Sequence, residues 1–165
     1  MDTGLAVQLW SVSDLPDDEN GPRHELIDGS LHVTPLASWR HQRVVDEIVS
    51  LLRPALSAGH ELAAPANVQD GPHTLAIPDV VVARAGDYHL GPSPQDVILL
   101  VEVLSPSTRI TDLHAKRALY RLRWGVPYWI VDPEARSVWR FGGGDYASID
   151  LPAAGFAVED RPDEG

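Results

Sequence analysis

Val97-Ile-Leu-Leu-Val-Glu102-Val-Leu104 is the most apolar run of the chain, and one carboxylate interrupts it. A run without polar alternation indicates a strand that is buried on both faces, at a central position in a sheet covered by helices. Such a strand rarely holds a carboxylate unless the charge is paired or binds a metal ion, because burying an unpaired charge is very costly. Glu102 is therefore a candidate for chemistry. The alternative is that Glu102 forms a salt bridge to an arginine and that its strand lies at the edge of the sheet.

The residues that follow this run predict a βαβ unit. A helix is expected over about 111–124, with Thr111 as a candidate cap, and a strand is expected over 127–132. Strands joined by such a crossover lie parallel. Helical spacing places Ala115, Ala118, Leu119 and Leu122 on the apolar stripe of this helix.

Upstream segments complete the predicted architecture. Asp28-Gly29 lies between two alternating runs and predicts a tight hairpin, because the turn requires positive φ. Ser38 is a suitable cap for a helix over about 39–57. A strand is predicted to start at Asp79, directly after Pro78. The fold class predicted is α/β, a mixed β-sheet flanked by helices.

The length of 165 residues suits one domain with one hydrophobic core. We predict an N-terminal arm over 1–23, the main domain over 24–141, and a partly flexible, Gly-rich and then acidic extension over 142–165. Cysteine is absent, no apolar run approaches the roughly 20 residues of a membrane span, and the N-terminus lacks the features of a secretory signal. These features predict a cytoplasmic protein without a membrane partner.

The formal net charge of −11 argues against tight binding of nucleic acid in the absence of metal. The stretch 109–123 is nevertheless locally basic, with five Lys or Arg residues against one carboxylate, Asp112. Acidic metal sites also lose part of their charge when a cation binds. The net charge of the chain is therefore compatible with a metal-dependent nuclease.

Asp79 and Glu102 are the candidate metal ligands. Hard divalent ions such as Mg²⁺ take oxygen ligands, usually one or two carboxylates together with water and substrate phosphate. On neighbouring strands the two carboxylates would supply that minimum. Taken alone, Asp79 is equally typical of a turn, since Pro-Asp is a common turn dipeptide.

Lys116 is the single lysine among thirteen Lys and Arg residues. The lysine ammonium is a compact point charge whose pKa shifts readily on burial. The guanidinium of arginine is a poor substitute in that role. On the predicted helix Lys116 lies at the margin of the buried face, from where it could reach the carboxylates. The alternative is a surface pair with Asp112, worth only about 0.3–0.5 kcal/mol.

Four motifs together resemble one known family. They are Pro78-Asp79-Val-Val-Val, Leu100-Val-Glu102-Val-Leu-Ser-Pro-Ser-Thr108, Asp112-x-x-x-Lys116-x-x-x-Tyr120 and Gly125-Val-Pro-x-Tyr128-Trp-Ile-Val-Asp132. Glu25-Leu-Ile-Asp-Gly29 and Arg40-His-Gln42 match the same pattern. The chain thus resembles, over about 24–141, the Uma-type (DUF820-like) family of predicted restriction endonucleases in the PD-(D/E)XK superfamily.

The resemblance implies a restriction-endonuclease-like core, Mg²⁺ or Mn²⁺, and cleavage of nucleic-acid phosphodiesters, with DNA as the expected partner. Asp79, Glu102 and a backbone carbonyl near Val103 would hold the metal. The superfamily's lysine lies two residues after the glutamate, where this chain has Leu104, and the family's usual account moves that role to the next helix, here Lys116. A homodimer is also expected.

Three further residues follow from the same pattern. Glu25 resembles an additional acidic residue near the metal, and a solvated glutamate at a strand end is the alternative. His41, in the first turn of its helix, would touch substrate phosphate or merely pack there, and Tyr120 is expected to bind substrate with it. The rival to catalysis is an inactive, homodimeric DNA- or protein-binding module on the same fold.

Overall fold

The computed structural model describes residues 8–18, 20–106 and 112–162, with the backbone alone for 112 and 113. The strands are β1 Arg23–Ile27, β2 Ser30–Thr34, β3 His60–Ala63, β4 Val68–Gln69, β5 Leu75–Ala76, β6 Val80–Arg84, β7 Val97–Val103, β8 Tyr128–Asp132, β9 Ser137–Phe141 and β10 Ala157–Arg161. Helix α1 is Trp39–Leu52. Two π-helical segments, Asp112–Lys116 and Ala118–Arg123, together form α2.

The strands form two sheets. The main sheet has the order β10-β9-β8-β7-β6-β3, and β7 lies in its middle, antiparallel to β6 and parallel to β8. The predicted central strand and the βαβ unit are therefore confirmed, and so is the α/β class. The hairpin β1–β2 was expected to belong to the same mixed sheet, but it does not join the main sheet. It lies in a smaller sheet of order β2-β1-β5-β4.

The hairpin turn follows its sequence. Asp28 and Gly29 have φ of 50° and 77°, and Ile27 pairs directly with Ser30. Positive φ at both central residues is the conformation of a type I′ turn, in which glycine carries no steric penalty. The turn fixes the register of β1, and therefore the positions of the side chains of β1 at the cleft described below.

The faces of β7 are covered by different helices. Leu99, Val101 and Val103 belong to the cluster that packs on α1. Leu100 and Leu104 belong to the cluster that packs on α2, and Glu102 points to this side because side chains alternate along a strand. Glu102 thus lies on a central strand, and the edge-strand alternative is wrong.

Helix α1 begins as predicted. The Ser38 hydroxyl accepts a hydrogen bond from the His41 backbone N–H at 3.2 Å. The helix ends at Leu52, earlier than expected, and continues as a 3₁₀ turn over Arg53–Ala55 around Pro54. The cap matters for function because it fixes the first turn, which carries His41.

Helix α2 differs from the expected α-helix in its winding. Lys116, Leu119 and Tyr120 are buried, whereas Leu122, predicted on the apolar stripe, is 69% exposed. A π-helix bonds residue i to i+5 and holds more residues per turn, so faces drawn at spacings of three and four drift along it. Thr111, the candidate cap, lies outside the described residues.

Residues 142–162, within the extension that the sequence predicts to be partly flexible, pack on the domain. Strand β10 pairs in parallel with β9 along five residues. Tyr146, Leu151 and Phe156 are buried in the α1-side cluster. These three side chains, each five residues from the next, therefore extend the core beyond residue 141.

None of the helices in the described ranges combines the length and the apolar character needed to cross a membrane.

Candidate active site

The register of the main sheet places two carboxylates opposite each other. Val80 of β6 pairs with Val101 of β7, so Asp79 and Glu102 are the next facing positions toward the end of the ladder. Facing residues of an antiparallel pair share one side of the sheet. Both side chains are 2% exposed and line the same cleft.

Asp79 is held by three donors. Its Oδ1 accepts from Arg23 Nη1 at 2.7 Å, and its Oδ2 accepts from the Val103 backbone N–H at 2.9 Å. The third partner is His41 Nε2, 3.1 Å from Oδ2. Three such donors fix the position of the Asp79 carboxylate. Asp79, directly before β6, is therefore more than a turn residue.

These contacts set the protonation of Asp79. Burial alone would raise the pKa of this carboxyl, but the hydrogen bonds and charges of His41 and Arg23 outweigh burial and lower it from 3.8 to about 2. Conversely, burial lowers the pKa of His41, and the bond to Asp79 together with its charge raises it above the usual 6.5. The pair favours carboxylate and imidazolium.

His41 bridges two groups that the sequence assigned to a metal. Its Nε2 lies 3.1 Å from Asp79 Oδ2 and 2.9 Å from the Val103 carbonyl oxygen. Its Nδ1 is buried and finds no hydrogen-bond partner within the part of the chain that the structure describes. His41 is only 8% exposed, and one of its nitrogens is available to a ligand that brings an acceptor.

Lys116 reaches the opposite half of the cleft. Its ammonium lies 2.9 Å from Glu102 Oε1 and 3.0 Å from Glu25 Oε1. Lys116 is 4% exposed, so the alternative of a surface position is wrong. Glu25 is 3% exposed and also accepts the Ile77 backbone N–H at 2.7 Å, so the solvated-glutamate alternative is wrong too.

Tyr120 lies behind Glu102. It is fully buried, and its hydroxyl donates to Glu102 Oε1 at 3.0 Å. Burial and then the charge of Glu102 raise the pKa of Tyr120 well above 10, so the phenol stays a donor. Its contact is with the carboxylate, and Tyr120 is absent from the lining of the cleft.

The cleft itself has a volume of about 140 Å³. Five of the residues singled out from the sequence line it: Glu25, His41, Asp79, Glu102 and Lys116. They come from β1, α1, the start of β6, the end of β7 and α2. The sheet therefore brings together residues separated by up to about ninety positions in the chain.

The donor chemistry of the cleft suits a hard divalent cation. Asp79, Glu102 and the Val103 carbonyl offer oxygen atoms, the ligands that Mg²⁺ prefers. In this arrangement those oxygens are bonded to protein donors. Among the described residues, no group of three or more His, Cys, Asp or Glu side chains is gathered closely enough to hold a metal.

The family model of Uma2, described as "Putative restriction endonuclease", matches residues 11–158. The chain belongs to the Uma2 family. The match reaches into β10 and confirms the resemblance drawn from the motifs. No curated protein matches.

A solved structure shares the fold of this Uma2 chain. It is the crystal structure of "a putative nuclease belonging to DUF820" from Anabaena variabilis ATCC 29413. The TM-score is 0.59 at 23% sequence identity, and the alignment covers 76% of this chain and 74% of that one. At this identity the likeness shows the fold alone, a restriction-endonuclease-like arrangement of mixed sheets with few helices.

Sequence reasoning missed Arg23, the partner of Asp79. It was assigned to the irregular N-terminal arm, but it opens β1. Glu25 follows two positions later, and residues two apart on a strand share a face. The alternation that marked Glu25 could therefore have indicated Arg23 as well.

Three arginines of the basic stretch 109–123 are engaged within the protein, while Arg109 lies outside the described residues. Arg117 lies over the Phe141 ring at 4.6 Å, and Arg121 donates to the Val126 carbonyl at 2.8 Å. Arg123 pairs with Asp28 and Asp70 in the small sheet. These arginines hold α2 against its neighbours and do not form a free cationic face.

Proposed function

We propose that this Uma2-family protein is a metal-dependent endonuclease that hydrolyses phosphodiester bonds of nucleic acid, with DNA as substrate. The observation that carries the proposal is the burial of Lys116 between Glu102 and Glu25, in the cleft that Asp79 shares. A buried ammonium among carboxylates is costly to assemble and is typical of functional sites.

The metal is proposed to be Mg²⁺ or Mn²⁺, held by Asp79, Glu102 and the Val103 carbonyl. When bound, such an ion lowers the pKa of a water ligand and neutralises charge on the phosphate. Both carboxylates must then exchange protein donors for the ion. The low pKa of Asp79, about 2, keeps its carboxylate ionised for this exchange at neutral pH.

Lys116 and Tyr120 have separate roles in this proposal. The Lys116 ammonium stabilises negative charge as it develops on the phosphate, since a fixed cation in a water-poor cleft acts strongly. Tyr120 is a positioning residue, because its hydroxyl reaches Glu102 and not the open cleft. Glu25 orients the lysine through the 3.0 Å contact.

Arg23 and His41 are proposed to receive the substrate phosphate. Both line the cleft, and each bonds Asp79. Release of Asp79 to the metal would free both groups to donate to phosphate oxygens. His41 thereby keeps the substrate-binding role that the sequence suggested.

Cleavage of supercoiled plasmid and labelled oligonucleotides tests the proposal, with Mg²⁺, Mn²⁺ or EDTA. We expect metal-dependent nicking that falls at least about 100-fold in Asp79→Asn and in Glu102→Gln, because each change removes an anionic ligand. Lys116→Ala is expected to lose a similar amount. Arg53→Ala, on an exposed turn, is the matched control and should cut normally. Undiminished cleavage by Asp79→Asn would contradict the assignment.

One observation favours a second function, an inactive homodimeric module that binds DNA or protein. Asp79 and Glu102 are already neutralised by Arg23, His41 and Lys116. Calorimetric titration with Mg²⁺ and Mn²⁺ separates the two. A nuclease should bind ions at a site lost in Asp79→Asn, whereas DNA binding with neither ion binding nor cleavage would favour the module.

A further inference from the structure

Two arginines at the start of α1 differ from those of the basic stretch. Arg40 and Arg43 are exposed, and across the described residues neither forms a side-chain hydrogen bond or ion pair. Unpaired cations on a chain of net charge −11 are conspicuous, because acidic side chains are plentiful. The charge of Arg43 also acts on Glu47 of the next turn, but neither guanidinium is held in a hydrogen bond or ion pair within the described ranges, so both can contact an anionic partner.

Trp39 stands beside these arginines. It is the first residue of α1 and is 80% exposed, the highest exposure of any large hydrophobic side chain in the described ranges. Trp39 and Arg43 are four residues apart, so they lie one above the other on the helix surface. An indole this exposed presents its ring face and its N–H to a binding partner.

This surface is continuous with the cleft. A groove of about 620 Å³ adjoins the cleft and shares Ser38, His41 and Ser105 with it. A second groove of about 580 Å³ shares Arg40 and Pro133 with the first. The second groove is lined by Trp39, Arg40 and Arg43, among others. A chain leaving the cleft past His41 would thus meet the arginines and then the indole.

We propose that the first turns of α1 bind an unpaired, single-stranded segment of the nucleic acid whose phosphate occupies the cleft. Trp39 stacks on one base, while Arg40 and Arg43 neutralise backbone phosphates. The inference rests on the proposed function, which supplies nucleic acid as the ligand. It adds that the bound segment is single-stranded and that it runs from the cleft along the first turns of α1.

The unpaired form follows from the chemistry of the two kinds of contact. An exposed indole stacks on a base whose face is free, and every base offers such a face, so the contact tolerates any sequence. Bases inside a duplex have both faces covered by their neighbours. Asp46 follows on the next turn, and Glu47 there is already paired with Arg136 at 2.8 Å. The cationic track is therefore short, sufficient for a few nucleotides.

Binding in EDTA, where no cleavage occurs, tests the stacking contact. Fluorescence anisotropy would compare an unstructured labelled 20-nucleotide strand with a blunt 20-base-pair duplex. We expect Trp39→Ala to weaken single-strand binding about 5- to 150-fold, the range for loss of one aromatic stack. Trp39→Phe should restore most of the affinity, and duplex binding should not change. Leu90→Ala, which changes another exposed apolar side chain in the connection between β6 and β7, is the matched control.

Salt dependence tests the arginines. The double variant Arg40→Ala, Arg43→Ala should flatten the plot of log affinity against log salt by about 1.4, since each phosphate contact to a single strand contributes roughly 0.7. Arg53→Ala, in the 3₁₀ turn that follows α1 and about 20 Å from Arg40 along the helix axis, should leave the slope unchanged. An unchanged slope in the double variant would refute the claim that Arg40 and Arg43 contact backbone phosphates.

The outcomes separate this inference from the proposed function. Normal binding with the expected Trp39 effect, but no cleavage with either metal, would refute the nuclease and keep the track. If wild type cleaves nucleic acid but Trp39→Ala binds the single strand and the duplex as tightly as wild type does, only the single-strand surface on α1 would be refuted. A wild-type dimer that Trp39→Ala converts to monomer, with DNA binding unchanged, would assign this surface to a second copy and also refute the track.

Discussion

Asp79 and Glu102 face each other across β6 and β7, yet they are stabilised in opposite ways. Asp79 accepts from Arg23, His41 and a backbone N–H. Glu102 shares the ammonium of Lys116 with a second carboxylate, Glu25. Counted over the described residues alone, the Asp79 half sets two cationic side chains and a backbone N–H against one carboxylate, whereas the Glu102 half sets one lysine against two carboxylates.

The difference shows how a small acidic protein holds three buried carboxylates in one cleft. Among the described side chains, the extra positive charge around Asp79 offsets the extra negative charge around Glu102, because charges in a buried cleft of low dielectric interact strongly. A metal ion would reverse the balance, because it would displace cations from the Asp79 half and satisfy the negative half. The following predictions test this asymmetry, from the largest effect to the smallest.

Removal of the shared ammonium should have the largest effect on stability. Lys116→Met leaves Glu25 and Glu102 buried without their cation, so we expect the free energy of unfolding to fall by about 3–5 kcal/mol. Urea denaturation at pH 7 measures it. Arg53→Met, which removes an exposed charge, should stay within about 0.5 kcal/mol of wild type. A loss below 1 kcal/mol for Lys116→Met would mean that the Glu102 half does not depend on the lysine.

Acid should selectively weaken the Asp79 half. Its pKa is lowered from 3.8 to about 2 in the folded protein, so its contribution is complete above pH 3.8 and is lost as the pH falls through 2. The contribution amounts to roughly 2 kcal/mol. Denaturation between pH 5 and pH 2 should show a steeper loss for wild type than for Asp79→Asn. Parallel curves for the two proteins would contradict the network drawn around Asp79.

Loss of the phenol should have a smaller effect on the Glu102 half. Tyr120→Phe removes one hydrogen bond to a charged group but keeps the ring in place, and Glu102 retains Lys116. We expect the free energy of unfolding to fall by about 1.5 kcal/mol, the low end for such bonds. If Tyr120 positions Glu102, the metal affinity measured by calorimetry should fall as well. Unchanged stability and affinity would remove Tyr120 from the site.

Removal of the helix cap should affect the Asp79 half least. Ser38→Ala deletes the acceptor for the His41 backbone N–H, which should cost about 1 kcal/mol. Thermal denaturation measures the loss. Ser38→Asp, which caps equally well, is expected to restore wild-type stability, and failure to do so would show that the hydroxyl serves something other than the helix.

The predictable parts of the fold were those encoded by neighbouring residues. Asp28-Gly29 specified the hairpin turn, and the uninterrupted run around Glu102 specified a central strand. The solitary lysine, together with the family motifs, pointed to the cleft. In each of these cases a short window of sequence contains the physical cause.

The remaining features depend on contacts between distant segments. Arg23 meets Asp79 across 56 positions, and no local pattern states that the small sheet packs over the start of β6. The π-helical winding of α2 is not marked by any local pattern in the sequence, so an α-helical projection misplaced Leu122. Charge counting also misled, since it cannot distinguish Arg123, bound to Asp28, from Arg40, which has no such partner.

The attachment of β10 has a practical consequence for anyone who shortens this protein. A chain cut after residue 141, the boundary that the sequence suggested, would lose Tyr146, Leu151 and Phe156 and leave the α1-side cluster open to water. It would also turn β9 into a bare sheet edge, a template for self-association. Affinity tags and minimal domains are therefore better placed beyond Arg161 than before Gly142.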